Sequence, residues 1–301
     1  MKIGRNDPCL YGSGNKYKNC CLKTKYNINT NEKKAIKFLY QYRTLNEFTL
    51  PNLKNQELRL NSPTLFNDPY DCRLLINDDE IIDEFKTFID KKNVSIEEKK
   101  LIREASESNE YKEIIEDLVN KSEKIVFDAM IDMVSIACFT EEYKSMLMWS
   151  HYSDYHKGIC IKYKKEDLNS ISEITLDKVI YTDKRNYNII DLIDNVVNTE
   201  GNEKIVAVND FIQKSIFLKS KCWKYEKEWR MLYLKSNNDN EKDREGFNIK
   251  SPKPEAIYMG TKIKEEDRDL IINLCREKEI ELYQMKMRKD KVELVEEIVQ
   301  L

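Results

Sequence analysis

Histidine and glycine are both scarce in this chain, with two and seven copies in 301 residues. No His-Glu-x-x-His helix occurs, so the commonest zinc-hydrolase arrangement is excluded. The glycines form neither a phosphate-cradling P-loop nor a dinucleotide-binding Gly-x-Gly-x-x-Gly, and no Gly-x-Ser-x-Gly nucleophile elbow exists. No apolar run approaches the length of a membrane-spanning helix, and the N-terminus lacks an apolar signal core. The expectation is a cytoplasmic protein whose eight cysteines stay as reduced thiols. An excess of one charge is missing too: 51 basic and 54 acidic residues leave a net charge of −3. That balance argues against bulk binding of DNA or of a membrane surface. What is present is a 41% hydrophobic content over a length sufficient for one or two domains.

Residues 1–25 differ from the rest. They carry six basic residues (Lys2, Arg5, Lys16, Lys18, Lys23, Lys25) against the single acid Asp7. They also hold three of the seven glycines and three of the eight cysteines. So small a piece cannot build an apolar core and needs a staple. The stretch GRNDPCLYGSGNKYKNCC resembles the SEC-C motif, the small zinc-binding module found at the end of the SecA translocation ATPase. Cys9, Gly12, Ser13, Gly14, Lys16, Tyr17, Lys18, Cys20 and Cys21 match its pattern. The resemblance implies a zinc ion held by Cys9, Cys20 and Cys21, with the basic face docking to an acidic protein or to RNA. Tyr11 stands where the motif's second cysteine belongs. A structural zinc site wants four ligands, so a fourth must come from water, another side chain or another chain.

Residues 26–34 read as a polar linker and 35–301 as one α+β domain. Apolar runs predict strands at AIKFLYQYR, ELRLNS, MVSIACF, ICIKYK, 226–234, 255–259 and IELYQMKM. Pro51 reads as a breaker, and PTLFNDPYD carries turn chemistry. Residues 78–128 read as an amphipathic helical insert, with stripes through Ile81, Ile82, Phe85, Phe88 and Ile89 and through Ile114, Ile115, Leu118 and Val119. Thr140 is the expected N-cap of a helix that runs to Gly158. Further helices are expected at 203–218 and at 265–278. The fold class is therefore a mixed sheet with helical insertions, preceded by a small zinc-ribbon-like motif.

Both histidines and all three tryptophans fall in 149–156 and 223–229. Such scarce residues in two short stretches suggest a shared site. In KCWKYEKEWRMLYL, strand alternation would put Glu226, Glu228 and Arg230 on one face. Three buried charges are costly unless paired. Either Arg230 neutralises one glutamate as a structural ion pair, or one carboxylate stays free for chemistry.

The ordered segments FLYQYR, LRLNSPTLFNDPYD, MLMWSHYSDYHKGICIKY, KVIYTD, KCWKYEKEWR and AIYMG resemble a bacterial and phage family called domain of unknown function 2971. The pattern also resembles the Arg-Ser-Glu class of the ADP-ribosyltransferase fold. That resemblance implies an NAD-consuming effector of phage–bacterium conflict. Arg43 would grip the pyrophosphate bidentately. Ser62 and Thr64 would orient the nicotinamide ribose, with Trp149 and His151 beside the cofactor. Glu228, assisted by Glu226, would support an oxocarbenium-like transition state. Pro63 interrupts the second-strand motif. The alternative is a non-catalytic module in which Trp149, His151, Trp223 and Trp229 line a recognition pocket for protein or nucleic acid, the acid–arginine strand being structural.

Overall fold

The alternation of apolar and polar residues in these short segments is realised as a mixed β-sheet. The structure is a computed structural model that describes residues 36–75, 81–184, 190, 192, 194, 198, 202–235 and 245–301. The chain divides into two compact units. Of the described residues, one unit comprises those within 36–66, 133–181 and 220–301, the other those within 67–132 and 182–219. The N-terminal cysteine-bearing segment, with Cys9, Cys20 and Cys21, lies outside the described residues.

Among the described residues the main sheet of the first unit has ten strands: β1 (Phe38–Arg43), β2 (Glu57–Asn61), β3 (Val134–Thr140), β4 (Ile159–Lys164), β5 (Ile174–Lys178), β6 (Glu228–Leu234), β7 (Gly246–Lys250), β8 (Ala256–Met259), β9 (Glu281–Met287) and β10 (Leu294–Ile298). Hydrogen bonding runs β10-β9-β8-β4-β1-β3-β2-β7, with a branch β3-β6-β5. Of these described strands only β8 and β9 pair in parallel, and the helix Glu265–Lys278 makes that crossover.

Strand β3 is the junction. One edge pairs with β6 over its whole length, from Val134↔Leu234 to Thr140↔Glu228. The other edge is shared: β1 meets it at Tyr40↔Thr140 and β2 at Asn61↔Ile136. Between those two contacts, at Cys138, the sheet forks. The Gln41 side-chain amide reaches into the fork and donates to the Cys138 carbonyl at 3.4 Å.

Alternation assigns the two faces. Leu39, Phe139, Ile161, Tyr163, Trp229 and Met231 share one core with Ile271, Leu274 and Cys275 of the helix Glu265–Lys278. Tyr40, Tyr42, Cys160 and Tyr258 share another with Met148 and Trp149. On that second face four tyrosines stack in series, with ring centroids 4.9 Å apart for Tyr40–Tyr143, 4.7 Å for Tyr143–Tyr258 and 5.0 Å for Tyr258–Tyr283.

In the second unit the helix Ile81–Lys91 buries Ile81 and half-buries Ile82, Phe85, Phe88 and Ile89, as its stripe predicts, and the helices Ile96–Ala105, Asn109–Met133 and Asn202–Phe217 follow. A capping box at Ser95 and Glu98 starts the helix Ile96–Ala105. The stripe on Asn109–Met133 is narrower than its sequence suggests: Ile115 and Val119 are buried, while Ile114 and Leu118 are exposed. Lys219 and Asp71 form a buried ion pair at 3.3 Å.

Three local expectations are corrected. Pro51 does not break the chain but sits in the first turn of the helix Thr49–Asn55, where its missing N–H costs nothing. Thr140 ends β3 rather than capping a helix, and its hydroxyl donates to the Glu226 carbonyl at 2.5 Å. The helix begins instead at Met146, because the Ser145 hydroxyl accepts from the Met148 N–H at 3.3 Å. It ends at Tyr152, and Asp154, Tyr155 and His156 then follow in left-handed conformation.

Among the described residues no helix is long and apolar enough to cross a membrane. Cys72, Cys138, Cys160, Cys222 and Cys275 are free thiols.

Candidate functional site

Arg43 closes β1, opposite Ile159 of β4, on the face of Leu39 and Gln41. A charged group is thus delivered to the apolar side of the sheet. The close approach of β4 depends on Gly158, where an added Cβ would lie 2.2 Å from the Arg43 carbonyl oxygen. Burial pushes the Arg43 guanidinium below its ordinary pKa. The nearby Tyr163 phenol opposes that shift, the positive charge of Arg59 deepens it, and the Cys138 thiol opposes it more weakly. Among the described residues neither Arg43 nor Arg59 has a carboxylate at ion-pair distance. Arg59, at the middle of β2, stacks over the Phe48 ring at 4.4 Å.

Ser62 is buried at the end of β2. Its oxygen accepts from the Thr64 N–H at 3.3 Å and from the Thr64 hydroxyl at 2.9 Å. It thereby caps the 3₁₀ turn Pro63–Leu65, in which Pro63 takes the first position. The proline that interrupts the strand motif is what starts this turn.

The acid–arginine strand is built differently from the expected run of three. Glu226 belongs to the 3₁₀ turn Lys221–Glu226, and left-handed Lys227 (φ 47°) separates it from β6. Glu228 and Arg230 do share a face. The Arg230 Nε donates to Glu228 Oε1 at 2.7 Å and its Nη2 to Oε2 at 3.1 Å. Both side chains are buried, with 0% of the Arg230 and 5% of the Glu228 side chain exposed. Phe66 lies 5.5 Å from that guanidinium, and Asp177 of β5 stands opposite it. The Glu228 N–H donates to the Tyr181 hydroxyl at 2.8 Å. Glu226 is buried and takes a hydrogen bond from the Tyr152 hydroxyl.

The structure joins Glu226 to Tyr152 and Glu228 to Arg230, and it does not place Arg43 with the Glu228 pair. Glu228 pairs with Thr140, and Thr140 with Tyr40, so Glu228 faces the tyrosine side of the sheet. Arg43 faces the other side.

The aromatic residues divide as well. Trp149 is fully buried, and its indole N–H donates to the Tyr143 carbonyl at 2.8 Å. Trp229 lies in the opposite core, with its indole N–H on Glu141 at 2.9 Å. These two rings do not line a common pocket. His151 is exposed, with Nδ1 3.0 Å from the Tyr225 hydroxyl, and Trp223 packs 6.1 Å from the same tyrosine ring. His156 sets Nε2 3.1 Å from the Ser150 hydroxyl, while its buried Nδ1 has no partner among the described residues. Burial, and then the charge of Lys262, hold the His156 pKa below its usual value.

Arg59 was not singled out from the sequence. Its signal was a cation at the centre of ELRLN, flanked by Leu58 and Leu60, whose side chains point into the core. No group of three or more His, Cys, Asp or Glu among the described residues is placed to hold a metal.

No curated protein and no solved structure matches this chain. One family model does. Its match begins inside the helix Met146–Tyr152 and ends inside β6, so it spans Trp149, His151, Glu226, Glu228 and Arg230 but not Arg43, Ser62 or Thr64. Over residues 148–231 the chain matches the family described as Protein of unknown function (DUF2971).

Proposed function

We propose that the sheet unit binds a phosphate-bearing nucleotide, with NAD the first ligand to test and Arg43 the anion grip. One observation carries this reading: a partly desolvated guanidinium that has no carboxylate partner among the described residues. Burying a cation without its counter-ion is unfavourable, and a bound phosphate would remove that cost. Guanidinium and phosphate match bidentately.

The geometry favours binding over ADP-ribosyl transfer. Both Glu228 oxygens are engaged by Arg230, and the pair faces away from Arg43. In this reading Glu228 and Arg230 hold β6 in place. The basic N-terminal head acts as a zinc-held docking tag for an acidic protein or RNA, through Cys9, Cys20 and Cys21.

Titration of the full chain with NAD and with ADP-ribose tests the reading, with nicotinamide release assayed in parallel. Saturable binding of both without release is expected. Release that disappears in Glu228→Gln, with folding intact, would restore the transferase reading. Absence of any binding would remove the nucleotide reading.

A further inference from the structure

The helix Asn109–Met133 carries two apolar stripes, and the fold uses one of them. Ile115, Val119 and Met130 are buried, while Ile114, Leu118 and Ile125 are 58%, 62% and 69% exposed. At 3.6 residues per turn the exposed three fall within about 40° of one another, roughly 110° round the helix from the buried stripe. Scattered apolar side chains on a surface need no explanation, but a line of them along one helix does. We infer that the exposed stripe is a pairing surface for the same helix of a second copy of this chain, laid antiparallel across a two-fold axis.

The spacing is that of a coiled-coil seam. Tyr111, Ile114, Leu118, Lys121, Ile125 and Asp128 follow one another at alternating steps of three and four residues. The two charged members decide the orientation. In a parallel pair each seam residue meets its own copy, so Lys121 would face the partner's Lys121 and Asp128 the partner's Asp128, and like charges repel. Turned antiparallel, with the axis between residues 119 and 120, the seam matches itself. Ile114 meets the partner's Ile125, Leu118 meets the stem of the partner's Lys121, and the Tyr111 hydroxyl meets the partner's Asp128 carboxylate. Each match occurs twice, once on either side of the axis.

The flanking charges agree. Asp117 and Lys124 are exposed on one side of the seam, and in the antiparallel pair Asp117 lies across from the partner's Lys124. Lys121 holds its ammonium against Asp117 at 2.5 Å, so its methylene stem is what lies along the stripe. Tyr111 packs against Phe85, with ring centroids 6.3 Å apart, which keeps it at the margin of the stripe. A charged residue within such a seam lowers affinity and fixes register.

Sedimentation of the full chain between about 1 and 100 μM tests this, and a monomer–dimer equilibrium with a dissociation constant on the order of micromolar is expected. Ile125→Asp sets a carboxylate in an apolar layer and should weaken the dimer at least about tenfold. That position is exposed in the single chain, so thermal melts of dilute protein should be unchanged. Asp117→Lys and Lys124→Asp, each alone, oppose like charges and should each weaken the dimer at least about threefold. The double variant should return close to the wild-type value. A parallel pair would not respond to that exchange, because the two positions do not meet in it. A chain that stays monomeric at about 100 μM overturns the inference and leaves the stripe to a different partner. A dimer that Ile125→Asp leaves intact, such as one bridged through the N-terminal cysteines, overturns it as well. Failure of the double variant to recover overturns the antiparallel register.

Discussion

Arg230 and Glu228, two residues apart on β6, are joined by two parallel hydrogen bonds at 2.7 and 3.1 Å inside a buried sheet. The arrangement satisfies both charges where water is excluded, and it explains how a strand can carry an acid and a base among core residues. It also fixes what the acid can do, since an acid bound at both oxygens is not poised to hold a sugar hydroxyl.

Removing one partner of a buried pair should therefore be expensive. Glu228→Gln is expected to destabilise the fold by about 3–5 kcal/mol, read as a fall in denaturant midpoint. The double variant Glu228→Leu with Arg230→Met should recover much of that loss, because no lone charge remains. Nucleotide affinity of the folded Glu228→Gln fraction should match the wild type.

Gly158 makes a second test. A methyl group there meets the Arg43 carbonyl, which is backbone and cannot step aside. Gly158→Ala should cost at least about 1–3 kcal/mol of stability. It should also weaken anion binding, because β1 must shift at the residue that grips the ligand. Stability lost with affinity unchanged would mean that the fork is not the site.

His156 gives a pH signature. Its folded pKa is lowered, by burial first and by Lys262 second, so the unfolded chain takes up the proton more readily. The stability that neutral His156 contributes is present above its unfolded pKa, near about 6.5, and declines as pH falls from there toward the folded value. Carboxylates with lowered pKa values, such as Glu296, act only at more acidic pH. Denaturation midpoints between neutrality and pH ~5.5 should thus fall in the wild type and stay flatter in His156→Asn.

The N-terminal head offers a metal test. The three thiolates of Cys9, Cys20 and Cys21 with one further ligand should hold about one zinc per chain. Metal analysis of chelator-free, reduced protein checks the stoichiometry, and Cys20→Ser with Cys21→Ser should abolish it.

Much of the architecture could be read from single segments. The strands at FLYQYR and ICIKYK and the helix Glu265–Lys278 follow from local patterns of period two and 3.6, which act within a few residues. Arg43 was named only through the resemblance to the Arg-Ser-Glu transferase class, not from a local pattern. The fork was not visible, because it depends on β1 and β2 sharing one edge of β3 across a long sequence separation. The strands ITLDK, GFNIK and LVEEI were missed because their half-polar alternation becomes a strand only through its partners. Glu226 left the expected face through a single left-handed residue, Lys227, a conformation its side chain does not announce.

The most direct measurement is the affinity of the full chain for ADP-ribose in the wild type, Arg43→Ala and Arg43→Lys, with melts to confirm folding. Saturable wild-type binding is expected, weakened at least about tenfold by Arg43→Ala, or about 1.4 kcal/mol, and only partly kept by Arg43→Lys. Equal affinity in all three proteins, or none in the wild type, would contradict the account.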